Sequence, residues 1–252
     1  MEYLNPNLSD FSPISLSEMD SVKLMDRTDT KFIFHDSKLP FILNEVQNNY
    51  RVLEINNSRI SPYETLYFDS EDFDFYLRHH NQKLNRYKVR FRKYVNSNLC
   101  FFEVKFKSNK DRTLKERIRQ EKMGFLLNGK AKNLIENITK LKAEHLFPKL
   151  WANYFRITFV SKQLDERLTI DFNLTFKNET SEKKINNLVI AEVKQEKISF
   201  KSPFIRFMYK HHVRSISISK YCLGVTQLFP SVKMNNFKPK LITINKIIYG
   251  HN

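Results

Sequence analysis

The stretch Arg86-Tyr87-Lys88-Val89-Arg90-Phe91-Arg92 decides how this chain folds. Side chains of an extended strand alternate between its two faces. Arg86, Lys88, Arg90 and Arg92 therefore share one face, and Tyr87, Val89 and Phe91 share the other. The device recurs downstream. Glu103, Lys105 and Lys107 lie opposite Phe102, Val104 and Phe106, and Lys115 and Arg117 share a face, although Glu116 interrupts the apolar side there. Arg156 lies opposite Phe155 and Ile157, Arg167, Thr169 and Asp171 oppose Leu168 and Ile170, and Glu192 shares a face with Lys194. A wet face of an antiparallel sheet is polar too, but it ordinarily mixes cations with Glu, Thr, Ser and Gln. Cations side by side on neighbouring strands repel one another unless something neutralises them. The pattern predicts an α+β fold in which the charged faces converge on a polyanion. The sheet is expected to close into a mostly antiparallel β-barrel, with its apolar faces outward against helices.

Around this core, periodicity predicts helices over 15–25, 37–46, 70–80, 130–142, 202–210 and 219–229, and strands over 30–34, 63–69, 86–95, 99–107, 113–120, 154–161, 167–176 and 188–195. Ser15 and Glu18 have capping-box spacing. Ser202-Pro203 supplies an N-cap with proline in the first turn. The scarcity of glycine, 4 in 252 residues, leaves no evident flexible linker. One domain over 1–252 is expected, with a core over about 20–230 and a basic tail over 231–252 that lies on the surface or docks as an extended strand.

Lysine and arginine number 43 against 27 aspartates and glutamates, a formal charge of +16, which calls for an anionic partner. With 41% hydrophobic and 13% aromatic residues the chain can build a core, which excludes wholesale disorder. No apolar run approaches the ~18–20 residues of a membrane helix, and 1–20 lacks the apolar centre of a signal peptide. Cys100 and Cys222 cannot form a disulfide framework, so a cytoplasmic location is expected. Both sit among apolar neighbours and read as inert buried thiols. Gly124 to Ala131 nearly spells a phosphate-binding P-loop, but Ala131 stands where a metal-binding hydroxyl is required. The pairs His79-His80 and His211-His212 lack metal-site spacing, and no zinc-finger or RNA-recognition signature occurs. The Glu-x-Lys pairs at Glu103/Lys105 and Glu192/Lys194 place carboxylates, ligands for hard divalent metals, among the cations.

In order along the chain, Arg27-Thr-Asp-Thr-Lys31-Phe32, Tyr63-Glu-Thr-Leu-Tyr-Phe-Asp69, Asn85 to Arg92, Phe102-Glu-Val-Lys105, Tyr154-Phe-Arg156, Glu166 to Asp171, Glu192-Val-Lys194 and Ser219-Lys-Tyr-Cys222 resemble the VTC domain, the polyphosphate polymerase domain. It belongs to the triphosphate tunnel metalloenzyme superfamily, and the similarity is nearest to the stand-alone prokaryotic type. The resemblance implies a basic tunnel holding ATP and polyphosphate with a divalent metal, manganese or magnesium. Arg90, Arg92, Lys105, Arg156, Arg167 and Lys220 would carry the phosphoryl transfer. Lys31 and Arg117, or its neighbour Lys115, would hold phosphates, joined by Lys88, Lys194 and Ser219, and Tyr154 would flank the nucleotide base. Glu192 matches the family's metal ligand, with Glu103 a second candidate. The family's first strand usually carries glutamates, where this chain begins Asp26-Arg27.

Three activities fit. The first is transfer of the γ-phosphoryl of ATP to a growing polyphosphate, which needs in-line positioning and charge neutralisation rather than a strong base. The second is hydrolysis of an inorganic or nucleoside triphosphate in the same tunnel. The third is a non-catalytic module that binds polyphosphate or nucleic acid, with steep salt dependence and no need of metal. No obligate nucleic-acid partner is expected, and the oligomeric state is left open.

Overall fold

The structure is a computed structural model that describes residues 8–21, 28–109, 113–197 and 199–250. The strands are β1 (Ser12–Ile14), β2 (Thr28–His35), β3 (Tyr50–Leu53), β4 (Ser61–Asp69), β5 (Arg86–Tyr94), β6 (Leu99–Lys107), β7 (Thr113–Gln120), β8 (Phe147–Ser161), β9 (Glu166–Lys177), β10 (Glu182–Ile185) and β11 (Leu188–Gln195). They form one 11-stranded sheet whose main path runs β2-β11-β9-β8-β4-β5-β6-β7, with β3 on β8, β1 on β3 and β10 on β9. Every pairing along the main path is antiparallel.

The helices are α1 (Leu16–Ser21), α2 (Leu39–Val46), α3 (Asp74–His80), α4 (Gly129–Thr139), α5 (Pro203–Lys210), α6 (Lys220–Leu228) and α7 (Lys238–Tyr249). Helices α2 and α5 bury Leu39, Ile42, Leu43, Phe204, Ile205 and Met208 against Phe32, Ile157, Leu168, Ile170 and Val193, on the outer face of the sheet. Helix α4 covers Leu66, Val89, Phe91, Phe102 and Val104 in the same way. The apolar alternate positions thus face outward against helices, as expected.

The inner face changes character along the strands. On β9 it carries Arg167, Thr169 and Asp171 and then Leu174 and Phe176. The switch of parity occurs at a bulge where Asn173 takes a positive φ of 52°. On β2 Asp29 and Lys31 give way to Ile33, and on β11 Lys194 and Glu192 give way to Ile190 and Leu188. On β8 Arg156 and Tyr154 give way to Ala152 and Leu150. Helices α6 and α7 lie over the apolar half, burying Leu223, Val225, Phe237 and Ile244 against Leu150, Phe176, Leu188 and Ile190. The charged half is left as a trough.

The sheet does not close into the expected barrel. Among the described residues, strand β2 pairs only with β11, and β7 only with β6. Two local features oppose closure. The outer edge of β2 is engaged by a crossing segment, since Ile216 N donates to Lys31 O at 2.8 Å. Strand β7 carries Glu116 and Gln120 beside Leu114 and Ile118 on its outer face, so its apolar stripe is interrupted, and most of its residues are exposed. The edges still approach one another, because Lys105 on β6 lies in the field of Asp29 and Lys31 on β2 and of Glu192.

Most boundaries fall where periodicity places them, with local differences. Residues 36–38 form a short 3-10 turn capped by His35, not by Ser37. Helix α3 starts at Asp74, because Asp69 collects the amides of Ser70, Phe75 and Tyr76 and so tethers the preceding loop. The tail forms helix α7, with Pro239 in its first turn, rather than an extended strand. The predicted helix over 15–25 is described only to Ser21; its remainder, and the Asp26-Arg27 position, lie outside the described residues.

Candidate anion-binding trough

Register builds the site. Lys88, Lys105 and Lys115 stand directly opposite one another across β5, β6 and β7. Like charges in opposed positions are unfavourable in the absence of a partner. Lys31 reaches the same region from β2, donating from Nζ to Ile218 O at 3.2 Å. Lys88 Nζ donates to Ser219 Oγ at 3.0 Å. Among the described residues, no carboxylate lies within ion-pair distance of Lys31, Lys88 or Lys105. Burial pushes the Lys88 ammonium down to about 7, and Lys31, Lys105 and Arg90 add to the shift. Burial lowers Lys105 as well. Lys115 is brought down to about 8 by burial, against the pull of Glu103.

The remaining cations are organised by carboxylates. Glu103, 1% exposed, receives Arg90 Nε at 2.7 Å and Nη2 at 2.5 Å on one oxygen, and Lys115 Nζ lies 2.7 Å from the other. Burial opposes ionisation of Glu103, but Arg90, Arg92 and Lys115 outweigh it and hold the carboxyl well below its usual range. Asp171 is gripped by Arg156 through Nε at 2.6 Å and Nη2 at 2.7 Å, and by Lys220 Nζ. Despite burial, those two cations hold Asp171 down at about 2. Such bidentate pairs fix the guanidinium plane. Lys194 contacts Glu192 and lies 3.4 Å from Asp29.

Tyrosines fill the floor. Tyr154 stacks on Tyr63 with centroids 5.3 Å apart and planes 18° apart, and Lys220 Nζ stands 4.5 Å from its ring centre. The buried Tyr154 hydroxyl has no hydrogen-bond partner among the described residues. Arg156 and Arg92 lie 4.9 and 5.8 Å from the Tyr63 ring centre, and Arg92 Nε reaches Thr65 Oγ1 at 3.4 Å. Tyr67 accepts from Arg90 Nη1 at 3.3 Å. Burial alone would raise its phenol, but Arg90, Arg92 and Lys220 bring it below the ordinary value.

Residues 216–219 cross the trough as a strap. Ile216 N and Ile218 O bind β2, and Ser219 Oγ binds Lys88 of β5. Ser219 caps α6, accepting Cys222 N at 3.4 Å. The positive end of α6 therefore meets the charged half of the trough, an arrangement that favours anions. Tyr221 OH anchors the same turn on Asp69 Oδ2 at 2.5 Å.

Of the residues expected from sequence, Lys31, Lys88, Arg90, Arg92, Glu103, Lys105, Lys115, Tyr154, Arg156, Glu192, Lys194, Ser219 and Lys220 come together on this inner face. Two lie at its margins. Arg117 is exposed, with its guanidinium 4.8 Å from the Phe101 ring centre, and Arg167 reaches Met19 O at 3.3 Å. Sequence reasoning overlooked Asp29 as a site residue, although it alternates with Lys31, and it used Asp171 only as part of a face pattern. Cys100 and Cys222 are buried, and burial raises both thiols, consistent with inert roles. The near P-loop falls on the outer surface, with Leu126 78% exposed.

The expectation of manganese is not supported: among the described residues, no group of three His, Cys, Asp or Glu converges to hold a metal ion. The trough carboxylates instead pair with cations. A hard cation bound along with phosphates needs only one or two protein carboxylates. Glu192 and Asp29, in mutual contact and both touched by Lys194, form such a pair.

The profile of the VTC domain family matches residues 26–229. No match is found among the curated proteins. Among solved structures, a protein from Bacillus halodurans assigned as an adenylate cyclase is similar at a TM-score of 0.51 and 11% identity, covering 81% of this chain and 100% of its own. An adenylyl cyclase candidate from Hippeastrum, described as having a dominant triphosphatase activity, is similar at a TM-score of 0.50 and 11% identity, covering 79% of this chain and 96% of its own. At these identities the likeness concerns the fold.

Proposed function

The chain belongs to the VTC domain family, within the triphosphate tunnel metalloenzyme superfamily, and on that premise we propose that its trough binds a triphosphate and cleaves it with water. The observation that carries this is the group Lys31, Lys88 and Lys105, half-buried together on the inner face with no carboxylate among the described residues at ion-pair distance. A phosphate chain supplies the missing negative charge. The Hippeastrum protein, similar in fold, is described by a triphosphatase activity, which favours water over a growing chain as the acceptor.

Phosphoryl transfer asks the protein for alignment and for neutralisation of spread charge. Glu103 and Asp171 orient Arg90 and Arg156. Arg156 keeps Nη1 for a phosphate oxygen, since Nε and Nη2 are held by Asp171. Arg92, Lys105 and Lys220 neutralise the equatorial oxygens, while Lys31, Lys88, Lys115, Lys194 and Ser219 hold the rest of the chain. Arg117 and Arg167 attract it at the margins. Water oxygen bonds to the terminal phosphorus as the bridging P–O bond breaks. The electron pair leaves with the diphosphate, and the water's proton is lost to solvent. Glu192 and Asp29 would hold a divalent metal, which when bound stabilises charge on the phosphate oxygens.

The test supplies inorganic tripolyphosphate, and separately ATP, with magnesium, and follows both orthophosphate and chain length. Orthophosphate release without chain growth is expected. Long-chain polyphosphate made from ATP would replace hydrolysis by polymerisation. Tight binding with no turnover would reduce the protein to a polyphosphate-binding module.

A further inference from the structure

The trough is stopped at one end. The strap 216–219 spans it from β2 to β5. Behind the strap the inner face turns apolar and is packed by α6 and α7, with Leu150, Phe176, Leu188 and Ile190 buried under Leu223, Val225 and Ile244. Gly224 of α6 sits so close to the sheet that a Cβ there would stand 2.7 Å from Phe176 Cδ1 and 3.1 Å from Leu150. A charged chain cannot pass through that packing, because stripping phosphate of water in an apolar core is prohibitive.

Lysines with no carboxylate at ion-pair distance among the described residues are concentrated at this stopped end, with Asp29 and Glu192 acting on them only from further away. Lys31 and Lys88 are spent on neutral oxygens of the strap, Lys105 lies opposite Lys88, and the N-terminus of the nine-residue α6 faces them. Toward the other end, Arg90, Arg156 and Lys194 already have carboxylates. A terminal phosphoryl group carries about −1.5 to −2 charges at neutral pH, whereas an internal phosphate carries one. The most charged unit of the ligand and the least compensated part of the trough are therefore matched.

We propose that the trough takes its ligand end-on. The terminal phosphate of a linear chain seats against the strap at Lys31, Lys88, Lys105 and the α6 N-terminus, and the chain does not thread through. This rests on the phosphate-binding reading above and specifies its substrate as chain ends rather than internal segments of polyphosphate.

The experiment is displacement of a fluorescently labelled tripolyphosphate by unlabelled linear polyphosphates of graded, defined length, at a salt concentration that suppresses loose surface binding. End-on seating predicts a half-displacing concentration that is constant per chain, whatever the length. A half-displacing concentration constant per phosphate unit would mean that internal segments compete, and would overturn the proposal. Cyclic trimetaphosphate has three phosphates and no end, and is expected to displace at least about tenfold less well than linear tripolyphosphate, a difference of ~1.4 kcal/mol. Equal displacement by ring and chain would also overturn it. Failure of labelled tripolyphosphate to bind at all is a distinct result that removes the phosphate-binding reading itself.

Discussion

Single residues set the electrostatics of the trough, and two of them make sharp predictions. Asp171 is 1% exposed and holds both Arg156 and Lys220. Breaking a buried ion pair from one side typically costs about 3–5 kcal/mol, because charge is stranded. Asp171→Asn is expected to lower the unfolding free energy in urea by that order, and saturating tripolyphosphate is expected to restore part of the loss. A loss below ~0.5 kcal/mol, the scale of an ordinary surface change, would show that solvent already screens the pair. Lys88 loses its proton at about 7 in the folded chain, against ~10.4 for an unperturbed lysine. Between those values the unfolded chain binds the extra proton, so the contribution of Lys88 to stability rises with pH across that window and is unfavourable below it. For ligand binding the sign is opposite, since the charged lysine is the binding form. Tripolyphosphate affinity should therefore weaken as pH rises through about 7. Titration calorimetry of wild type and Lys88→Met should show a shallower pH dependence in the variant, and identical slopes would remove Lys88 from the site. Which residues share the inner face was legible in the sequence, because period two fixes it. What each cation does there was not. That Arg90 is committed to Glu103 while Lys105 has no such partner depends on neighbouring strands, which no single strand reveals.

At the level of elements, strands of about eight residues bounded by polar turns were legible to within a residue or two, as over β6, β7 and β11. The short strands β1, β3 and β10 were not, since three or four residues hold too few alternations to be read. Helix α7 was hidden by Pro239, which breaks a helix interior but fits its first turn. The bulge at Asn173 was invisible for a different reason: one extra residue moves the later β9 side chains to the other parity, so Leu174 and Phe176 read as outer-face residues. Helix α6 lies against the sheet through Gly224, where an added methyl meets Phe176 and Leu150. Gly224→Ala is expected to cost about 1–3 kcal/mol by overpacking, read as a lowered denaturation midpoint with unchanged m-value. A variant as stable as wild type would mean that α6 can lift from the strands.

For the molecule as a whole, alternation predicted a curved sheet with cations inside and helices outside, but it overstated closure. Alternation says which face is wet. It does not say whether the first and last strands find each other. Here the strap holds β2, and the apolar outer face of β7 is interrupted by Glu116. Hydrogen exchange should accordingly show fast exchange in β7, slow exchange in the central pair β8 and β9, and added protection of β6 and β7 when tripolyphosphate bridges the edges. Uniform protection across the sheet would argue for a closed barrel. The stopped end has a kinetic corollary. When the terminal phosphoryl is cut off against the strap, it lies behind the remnant from which it was cut, so the two products leave in a fixed order. The shortened remnant departs first and orthophosphate second, and each cleavage requires a fresh encounter. Orthophosphate should then compete directly with substrate, and intermediate chain lengths should accumulate during the digestion of a long chain.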